Sequence, residues 1–442
     1  MQIPGKTVYS LLHKAISGIT SNAAQDSSFQ ALLDQHRPDL KPYEDLYRHL
    51  HAHPELSGQE EETAATVARY LKDLGFEVHT HIGGYGVAGV LRNGDGPTVL
   101  LRADMDALPV EEKTGLPYAS KKTVKDKGGA SIPVMHACGH DTHVVSLMAS
   151  SQFLNATRDQ WSGTLICIFQ PAEEQLSGAR AMIEDGLYEK IPKPDVVLAQ
   201  HVMRMRTGTV SIRSGRLLTA ADAFDVRVYG QGGHGSAPQT TVDPIVLGAS
   251  IVTRLQTVVS REVMPGEMAV VSCGSIHAGH ASNIIPDYLD MQLSVRTYDA
   301  ATRERVVSSI KRIIEAECHA SGSPQKPDVK CTFSTPATIN DEVTAKALQK
   351  TFGAYFEDNL VESEPASASE DFSLLATAVG APYVMWTFGG VDPKTWEDAV
   401  ANGTVNQLPN NHSPFFAPVM QPTLLTAVDA MSVGALTFLK RK

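Results

Sequence analysis

Apolar positions in the first half of the chain follow two different periods. A spacing of three and four residues predicts helices, whereas short unbroken apolar runs predict buried strands. The helical spacing runs from about Phe29 to Phe76, with breaks at Pro54 and Gly58, and it returns from Val144 to Leu154. The unbroken runs are Val87 to Arg92, Thr98 to Arg102, Gly163 to Phe169 and Pro194 to Ala199. This alternation predicts an α/β domain in which helices flank a mixed sheet.

The pattern changes near Leu217 and changes back after about Ser334. Between these points the predicted order is strand, helix, strand, strand, helix, strand, which is that of a ferredoxin-like α+β unit. We therefore predict an N-terminal extension (1–28), a catalytic domain in two parts (29–216 and 336–442), and an inserted ferredoxin-like domain (217–335). The extension is predicted to be helical.

The composition is that of a soluble globular protein, with 42% hydrophobic and 20% charged residues in a chain of 442. The net charge of −11 argues against nucleic acid and anionic membranes as partners, because both would repel the chain. No apolar run approaches the roughly 18 residues of a membrane span. The five cysteines are odd in number and have no regular spacing, which argues against a disulfide framework. We therefore expect a reducing compartment and a cytoplasmic location.

The densest cluster of metal-binding residue types lies between Met135 and His143, which reads Met-His-Ala-Cys-Gly-His-Asp-Thr-His. Thiolate, imidazole and carboxylate are side-chain types that bind Zn²⁺ and its neighbours in the transition series. Cys138 and His140 lie two residues apart, and the glycine between them allows a tight turn. The two side chains could therefore reach one metal ion or two adjacent ions.

Further polar side chains follow three of the predicted strands. Asp104 and Asp106 come after the first, Glu173 and Glu174 after the second, and His201 after the third. Ligands and catalytic groups of α/β sheets gather at the carboxyl ends of the strands. Of two adjacent glutamates, one could bind metal while the other transfers protons. The repetition over three strands favours a functional site over a solvated acidic surface.

Two other patterns receive a structural interpretation. The segment Gly84 to Gly89 matches the dinucleotide-binding fingerprint, but a strand continues after it where the fingerprint requires a helix. We therefore predict a hairpin there. His49, His51 and His53 alternate along a predicted helix, which directs them to different faces. We predict that they are polar surface histidines and share no metal ion.

With these residues assembled, the chain resembles metallopeptidase family 20, and within it the amidohydrolase branch. That branch includes indole-acetyl-amino-acid hydrolases, hippurate hydrolases and N-acyl-amino-acid deacylases. The peptidase branch typically has histidine at the position of Asp104 and aspartate at that of Cys138, so this chain is more similar to the amidohydrolases. The resemblance extends from about Tyr43 to the end of the sequence and is carried by Leu50 to Ser57, Arg102 to Pro109, His136 to Asp141, Phe169 to Glu174, Gly232 to Pro238, Ser282 to Asp287, Ser369 to Phe372 and His412 to Pro414.

The resemblance implies a zinc-exopeptidase-like catalytic fold that holds two divalent metal ions, zinc or manganese, with cobalt as an alternative. It also implies that Glu173 is the general base and that Asp106 orients a ligand. The implied metal ligands are Cys138, His140, Glu174, His201 and His412.

The same resemblance assigns three residues to the inserted domain. His234 would reach the site of a neighbouring subunit and stabilise the oxyanion, while Asn283 and Arg296 would contact the polar end of the substrate or the dimer. The implied partners are a small-molecule N-acyl amino acid and a second copy of the chain, bound through the inserted domain. The segment from Ser120 to Ser131, with its four lysines, departs from the family and predicts a longer loop beside the site. Substrate preference is therefore not carried over.

The predicted activity is hydrolysis of the amide bond of N-acyl amino acids, aliphatic or aromatic, by a metal-bound water that Glu173 deprotonates. One alternative is a dipeptidase or carboxypeptidase of the same family. Another is a cysteine hydrolase with Cys138 as nucleophile, although nucleophile and base usually come from distant segments, whereas Cys138 and His140 share one turn. A non-catalytic metal-dependent binding protein would lack the base, and Glu173 is present.

Overall fold

The computed structural model describes residues 23–125 and 128–441, with side chains from residue 29 onward. Within these residues the chain forms two compact units. The first contains the described residues up to Gly215, residues 340–363, and those from Leu375 onward. The second contains Arg216–Ile339 and Glu364–Leu374. Each unit is described by itself below.

The helices of the described residues are α1 (Ala23–His36), α2 (Lys41–Ala52), α3 (Glu61–Asp73), α4 (His140–Ala156), α5 (Gly178–Glu184), α6 (Leu187–Lys190), α7 (Pro244–Thr257), α8 (Ala300–Ala320), α9 (Glu342–Phe356), α10 (Ser373–Thr377), α11 (Pro393–Ala401) and α12 (Met420–Phe438). Short 3₁₀ turns occur at Pro238–Thr240, Glu357–Asn359 and Val405–Gln407, and a π-helical turn at Val258–Glu262. The predicted N-terminal extension falls mostly on residues outside the described part, which begins with α1.

The strands are β1 (Glu77–Ile82), β2 (Gly86–Asn93), β3 (Thr98–Asp104), β4 (Thr123–Lys125), β5 (Ser131–Pro133), β6 (Trp161–Gln170), β7 (Val196–Arg206), β8 (Val210–Ile212), β9 (Gly215–Leu218), β10 (Ala220–Tyr229), β11 (Gly233–His234), β12 (Ala269–His277), β13 (Ile284–Ile285), β14 (Tyr288–Thr297), β15 (Asp328–Thr335), β16 (Thr338–Asn340), β17 (Leu360–Glu362), β18 (Tyr383–Val391) and β19 (Lys440–Arg441). Strands β1 and β2 pair antiparallel across the Gly84 turn, so the predicted hairpin is confirmed.

Among the described residues of the first unit, nine strands form one mixed sheet in the order β1-β2-β6-β3-β7-β18-β8-β17, with β19 beside β6. Strand β3 is parallel to both β6 and β7. Asp104 pairs with Gln170 at the ends of β3 and β6, and Arg102 pairs with Ala199, two residues before His201. The parallel pairing therefore brings the carboxyl end of β3, the carboxyl end of β6 and His201 to one edge of the sheet.

Helix α4 lies in the core of the first unit, because every side chain from His140 to Ser151 is buried. A helix that is buried on all sides has little freedom to move. Helix α12 is similarly buried from Thr423 to Leu436, apart from Leu425. The largest fully buried side chains of this core are Trp161 on β6 and Trp386 on β18. The first residue of α4, His140, thus starts from a rigid element.

The second unit contains an antiparallel sheet in the order β12-β14-β10-β15. Its side chains alternate between buried and more exposed along β10 and β14, and the buried ones form a core with helices α7 and α8. The chain order β10-α7-β12-β14-α8-β15 is that of a ferredoxin-like unit. The predicted fold class, a mixed sheet flanked by helices together with a ferredoxin-like α+β part, is confirmed.

The segment Glu364–Leu374, which the sequence analysis placed in the catalytic domain, belongs to the second unit. Its backbone is held there by hydrogen bonds, since Ala366 N–H donates to the Leu217 carbonyl at 2.9 Å and the Tyr298 hydroxyl donates to the Ala366 carbonyl at 2.8 Å. No helix among the described residues has the length and apolar character needed to cross a membrane.

Candidate metal centre

A glycine turn places the first two predicted ligands. Cys138 and Gly139 immediately precede α4, whose first residue is His140. Gly139 has φ +81°, and a side-chain carbon added there would lie 2.5 Å from Cγ1 of Val202. Only glycine tolerates both the backbone angle and the close approach. The turn therefore presents Cys138 and His140 together at the buried end of the helix.

His140 and His201 each use one ring nitrogen for a hydrogen bond that orients the ring. His201 Nδ1 donates to the Val202 carbonyl at 2.8 Å, and His140 Nδ1 lies 3.2 Å from Asp106 Oδ1. Because a carbonyl can only accept, the proton of His201 is on Nδ1 and its Nε2 presents a lone pair. Metal-binding histidines are typically held in this way by a partner on the second nitrogen.

The remaining predicted ligands converge on these two rings. Donor atoms of Cys138, His140 and Glu174 all lie within 4.8 Å of one another. Cys138 Sγ lies 3.5 Å from His201 Nε2, and Glu174 Oε2 lies 3.4 Å from His412 Nε2. The structure therefore brings all five predicted metal ligands together.

Two buried atoms of this cluster indicate that a cation fits there. His140 Nε2 and Glu174 Oε1 have no hydrogen-bond partner among the described residues, and they lie 3.8 Å apart. Buried polar atoms are nearly always paired, so both require an explanation. A divalent cation between them would satisfy both, and the sulfur, nitrogen and oxygen donors suit Zn²⁺ as well as Mn²⁺ or Co²⁺.

The charge of the cluster also favours a cation. Burial lowers the pKa of His140, but the combined effect of Asp104, Cys138 and Asp106 raises it by more. The pKa of His140 therefore lies well above its usual value. Burial raises the pKa of the Cys138 thiol, which makes it a poor nucleophile unless a positive charge is near. The raised pKa of His140 shows that its neighbours stabilise a positive charge at this ring.

His143 lies in the same cluster but has no ring nitrogen left for a metal. Its Nδ1 is 2.5 Å from Asp104 Oδ1, and its Nε2 accepts the Val202 N–H at 2.8 Å. Asp104 is also paired with Arg102, whose Nη1 donates to Oδ2 at 2.6 Å. Burial raises the pKa of Asp104, and His140, Arg102 and His143 together lower it well below the usual value. Asp104 therefore forms a buried ion pair with Arg102 and a buried hydrogen bond with His143, and neither residue of that hydrogen bond is a predicted metal ligand.

Glu173 and Asp106, the predicted base and orienting residue, both lie beside His140. Glu173 is 6% exposed, and its Oε2 is 3.8 Å from His140 Nε2. Asp106 is buried and accepts hydrogen bonds from the Ser57 hydroxyl at 2.7 Å and from the Glu174 N–H at 3.0 Å. Asp106 therefore orients both His140 and the backbone of Glu174.

The His412 loop is tied to the turn before α4. The His412 N–H donates to the Ala137 carbonyl at 2.8 Å, and His412 itself has φ +71°. The Asn411 amide donates to the carbonyls of Cys138 at 3.2 Å and Val202 at 3.1 Å, so it bridges two ligand-bearing segments. Sequence analysis did not identify Asn411, although it lies directly beside His412. The His412 side chain is 57% exposed, whereas that of the predicted ligand Glu174 is 8% exposed.

The prediction that His49, His51 and His53 are surface residues is correct for the first and last and wrong for His51. The His51 ring is fully buried, with Nδ1 2.7 Å from Asp141 Oδ2 and Nε2 3.1 Å from Glu112 Oε1. Burial lowers the pKa of His51, but the hydrogen bonds with the two carboxylates raise it more, to about 10. His51 is therefore a buried cation beside the segment that carries His140.

The segment with four lysines begins at a residue that this histidine network holds. The Ser120 N–H donates to Glu112 Oε2 at 2.6 Å, and β4 and β5 then form a hairpin. The Lys113 N–H, next to Glu112, donates to the Pro414 carbonyl at 2.8 Å, which joins the segment that precedes this loop to the His412 loop. Lys127, one of the four lysines, lies outside the described residues.

The other three predicted site residues lie in the second unit. His234 is exposed, and its Nδ1 accepts the Ser236 hydroxyl at 2.7 Å. The Gly235 N–H donates to the Asn283 carbonyl at 2.8 Å, so His234 and Asn283 are close neighbours. Arg296 lies on β14 and donates to the Val295 carbonyl at 3.3 Å.

The chain is similar in sequence and in structure to known proteins. Residues 100–405 match the family described as peptidase family M20/M25/M40. The chain is 40% identical over 334 residues to a hippurate hydrolase of Campylobacter jejuni, covering 75% of this chain and 84% of that protein. It is 37% identical over 367 residues to thermostable carboxypeptidase 1 of Saccharolobus solfataricus, covering 80% of this chain and 89% of that protein. A crystal structure of a dinuclear metal-binding M20-family peptidase from Bacillus subtilis matches with a TM-score of 0.70 and 27% identity, covering 90% and 98% of the two chains.

An α/β sheet with clustered metal-binding side chains at one edge, together with these relatives, defines a metal-dependent hydrolase of amide bonds. The chain belongs to peptidase family M20/M25/M40, and the predicted membership of its amidohydrolase branch is confirmed.

Proposed function

We propose that this protein hydrolyses the amide bond of N-acyl amino acids with two divalent metal ions, zinc or manganese, or cobalt as an alternative. The ligands are Cys138, His140, Glu174, His201 and His412. The observation that carries the proposal is the pair of unsatisfied buried atoms, His140 Nε2 and Glu174 Oε1, beside the carboxylate of Glu173. The relative named hippurate hydrolase supports the substrate class.

The protein side chains divide the work of amide hydrolysis. Metal ions bound here would lower the pKa of water and polarise the amide carbonyl. Glu173 accepts the proton of the attacking water and delivers it to the departing nitrogen, a role that contributes about 10²–10⁴-fold. Asp106 fixes the orientation of His140. His234 of a neighbouring subunit donates to the oxyanion, a contact of the kind worth about 2.7–4 kcal/mol. Asn283 and Arg296 bind the polar end of the substrate.

The second candidate is a carboxypeptidase or dipeptidase, and the carboxypeptidase relative favours it. Asp104 argues against it. The peptidase branch of the family typically has a metal-binding histidine at this position. Asp104 instead accepts hydrogen bonds from Arg102 and His143. A cysteine hydrolase is disfavoured because burial raises the pKa of Cys138.

The test measures release of free amino acid from N-acetyl, N-benzoyl and N-indoleacetyl amino acids and from dipeptides. The protein is assayed as purified, after chelation, and after addition of Zn²⁺, Mn²⁺ or Co²⁺. We expect chelator-sensitive and metal-restored cleavage of the acyl amino acids, with slow cleavage of dipeptides. Faster cleavage of dipeptides would favour the second candidate.

A Glu173→Ala variant separates the base from the metal ligands. It should keep the metal content of the parent, measured by mass spectrometry of the bound metals, while turnover falls by about 10²–10⁴-fold. Glu184→Ala, at an exposed glutamate of α5, is the matched control and should keep full turnover. Full turnover in Glu173→Ala would contradict the proposed mechanism.

A homodimer formed through the second unit and a cytoplasmic location complete the proposal. Strand β12 lies at the edge of its sheet and exposes Val270 and Ile276, while α7 exposes Val246. Exposed apolar side chains on an edge strand and a neighbouring helix are common at subunit interfaces. Sedimentation of the purified protein measures the subunit number, and a monomer at all concentrations would contradict this part.

A further inference from the structure

Buried carboxylates hold the backbone on both sides of Glu173. The Ala172 N–H donates to Glu60 Oε1 at 2.8 Å, and the Glu174 N–H donates to Asp106 Oδ2 at 3.0 Å. Glu173 lies between these two anchored residues. Asp106 already belongs to the proposed site, whereas the proposed mechanism gives Glu60 no role.

Glu60 does not serve its own helix. It immediately precedes α3, a position where a carboxylate commonly caps the free N–H groups of the first turn. Here Glu55 does so instead, since its two oxygens accept the N–H groups of Glu62 at 3.0 Å and Thr63 at 2.8 Å. The side chain of Glu60 makes no cap hydrogen bond and is fully buried.

The burial of Glu60 is costly. One oxygen, Oε1, accepts both the Gly58 N–H and the Ala172 N–H at 2.8 Å, whereas Oε2 has no hydrogen-bond partner among the described residues. A carboxylate removed from water without a cation loses several kcal/mol of hydration. Burial accordingly raises the pKa of Glu60 to about 7. A hydrophobic residue of similar size would avoid this loss of hydration. We therefore infer that the acceptor oxygen of Glu60 has a role other than stabilising the fold.

The role of this oxygen is to maintain the backbone conformation of the loop after β6. Ala172 has φ +49° and Leu176 has φ +50°, both in the left-handed region that side chains disfavour. Each such residue costs about 1–3 kcal/mol and persists only where its surroundings enforce it. The Ala172 carbonyl accepts the Gly178 N–H at 3.1 Å, while its N–H is fixed by Glu60. Without Glu60 the Ala172 backbone would be free to relax and to redirect Glu173.

We propose that Glu60 is a positioning residue for the general base: Oε1 of Glu60 holds the Ala172 N–H and thereby fixes the Glu173 carboxylate beside His140. The inference rests on the proposed function, because it requires Glu173 to be the base. It predicts that only the acceptor oxygen of Glu60 matters for turnover, and that its negative charge does not.

Two substitutions separate the oxygen from the charge. Glu60→Gln keeps an oxygen in the place of Oε1 and puts the amide nitrogen in the place of the unpaired Oε2. Glu60→Met has similar length but no acceptor. For Glu60→Met we expect kcat to fall by about 10–100-fold, as for other residues that support a ligand or base, with KM and metal content unchanged. Glu60→Gln should keep most of the parental kcat.

The control is Glu61→Met, at the exposed neighbour of Glu60, which should behave as the parent. Parental kcat in Glu60→Met would overturn the inference. Equal losses in Glu60→Gln and Glu60→Met, or a loss that follows metal content or thermal unfolding, would also overturn it. If Glu60→Met does not fold, Glu60→Asp replaces it; its shorter side chain should lower kcat, and unchanged kcat counts against the proposal.

Glu173→Ala, assayed in parallel, distinguishes failure of the positioning role of Glu60 from failure of the proposed function. If Glu173→Ala is inactive and Glu60→Met is fully active, only the positioning role fails. If Glu173→Ala is fully active, the proposed function itself fails.

Discussion

Replacing His51 with leucine should remove a large, pH-dependent part of the stability of the first unit. His51 lies between Asp141 and Glu112, and all three side chains are fully buried. The rise of the pKa of His51 from 6.5 to about 10, at about 1.4 kcal/mol per pKa unit, amounts to about 5 kcal/mol. Removing one partner of a buried ion pair costs about 3–5 kcal/mol. Both routes predict a loss of several kcal/mol in His51→Leu near neutral pH.

The direction of the pH dependence follows from the sign of the shift. The pKa of His51 is higher in the folded protein than in the unfolded chain, so its stabilisation is complete below about pH 6.5 and is lost as the pH rises through about 10. The free energy of unfolding of the parent should therefore fall over this range. His51→Leu should lack this contribution, so the difference between the two proteins should shrink as the pH rises.

Urea unfolding followed by tryptophan fluorescence measures this difference. The three tryptophans, Trp161, Trp386 and Trp396, all belong to the first unit, so the signal reports that unit. His49→Leu changes an exposed histidine of the same helix and should show the pH dependence of the parent. An equal free energy of unfolding at neutral pH in His51→Leu and the parent, or a difference that does not change up to pH 10, would refute the reasoning.

Two further substitutions test how the ligand segments are held. Gly139→Ala places a side-chain carbon on a residue with left-handed backbone, 2.5 Å from Val202 Cγ1. We expect a lower melting temperature, a decrease of at least about 1–2 kcal/mol in the free energy of unfolding, and a reduced metal content. A metal content equal to that of the parent would contradict this. Asn411→Leu removes the hydrogen bonds to the carbonyls of Cys138 and Val202; we expect about 10–100-fold weaker metal binding by titration calorimetry. Asn406→Leu, at an exposed residue outside the ligand segment, is its control, and equal affinities in the two variants would refute the role of Asn411.

The sequence was informative where chemistry is local and less so where partners are distant. Cys138 and His140 share one turn, and the acidic pairs directly follow predicted strands, so both features were visible in short segments. The role of His51 was not, because Glu112 and Asp141 lie 61 and 90 residues away. Alternate spacing on a helix indicates different faces, but it does not indicate which face is buried.

The role of Glu60 could not be predicted from the sequence for a related reason. A carboxylate beside the first turn of a helix is expected to interact with the free N–H groups of that turn. Only the structure shows that Glu55 has taken this role and that Glu60 contacts Ala172, 112 residues further along the chain.

The separation in sequence of His412 from the other proposed ligands has a consequence for the newly made protein. Cys138, His140, Glu174 and His201 all precede the main part of the second unit, whereas His412 follows it. At about 5–20 residues per second, the ribosome needs roughly 10–40 s to proceed from His201 to His412. During that interval the nascent chain carries four donors without the fifth. The proposed centre is therefore completed late in translation. A metal ion that binds before His412 has been synthesised would be coordinated by fewer side chains than in the complete protein.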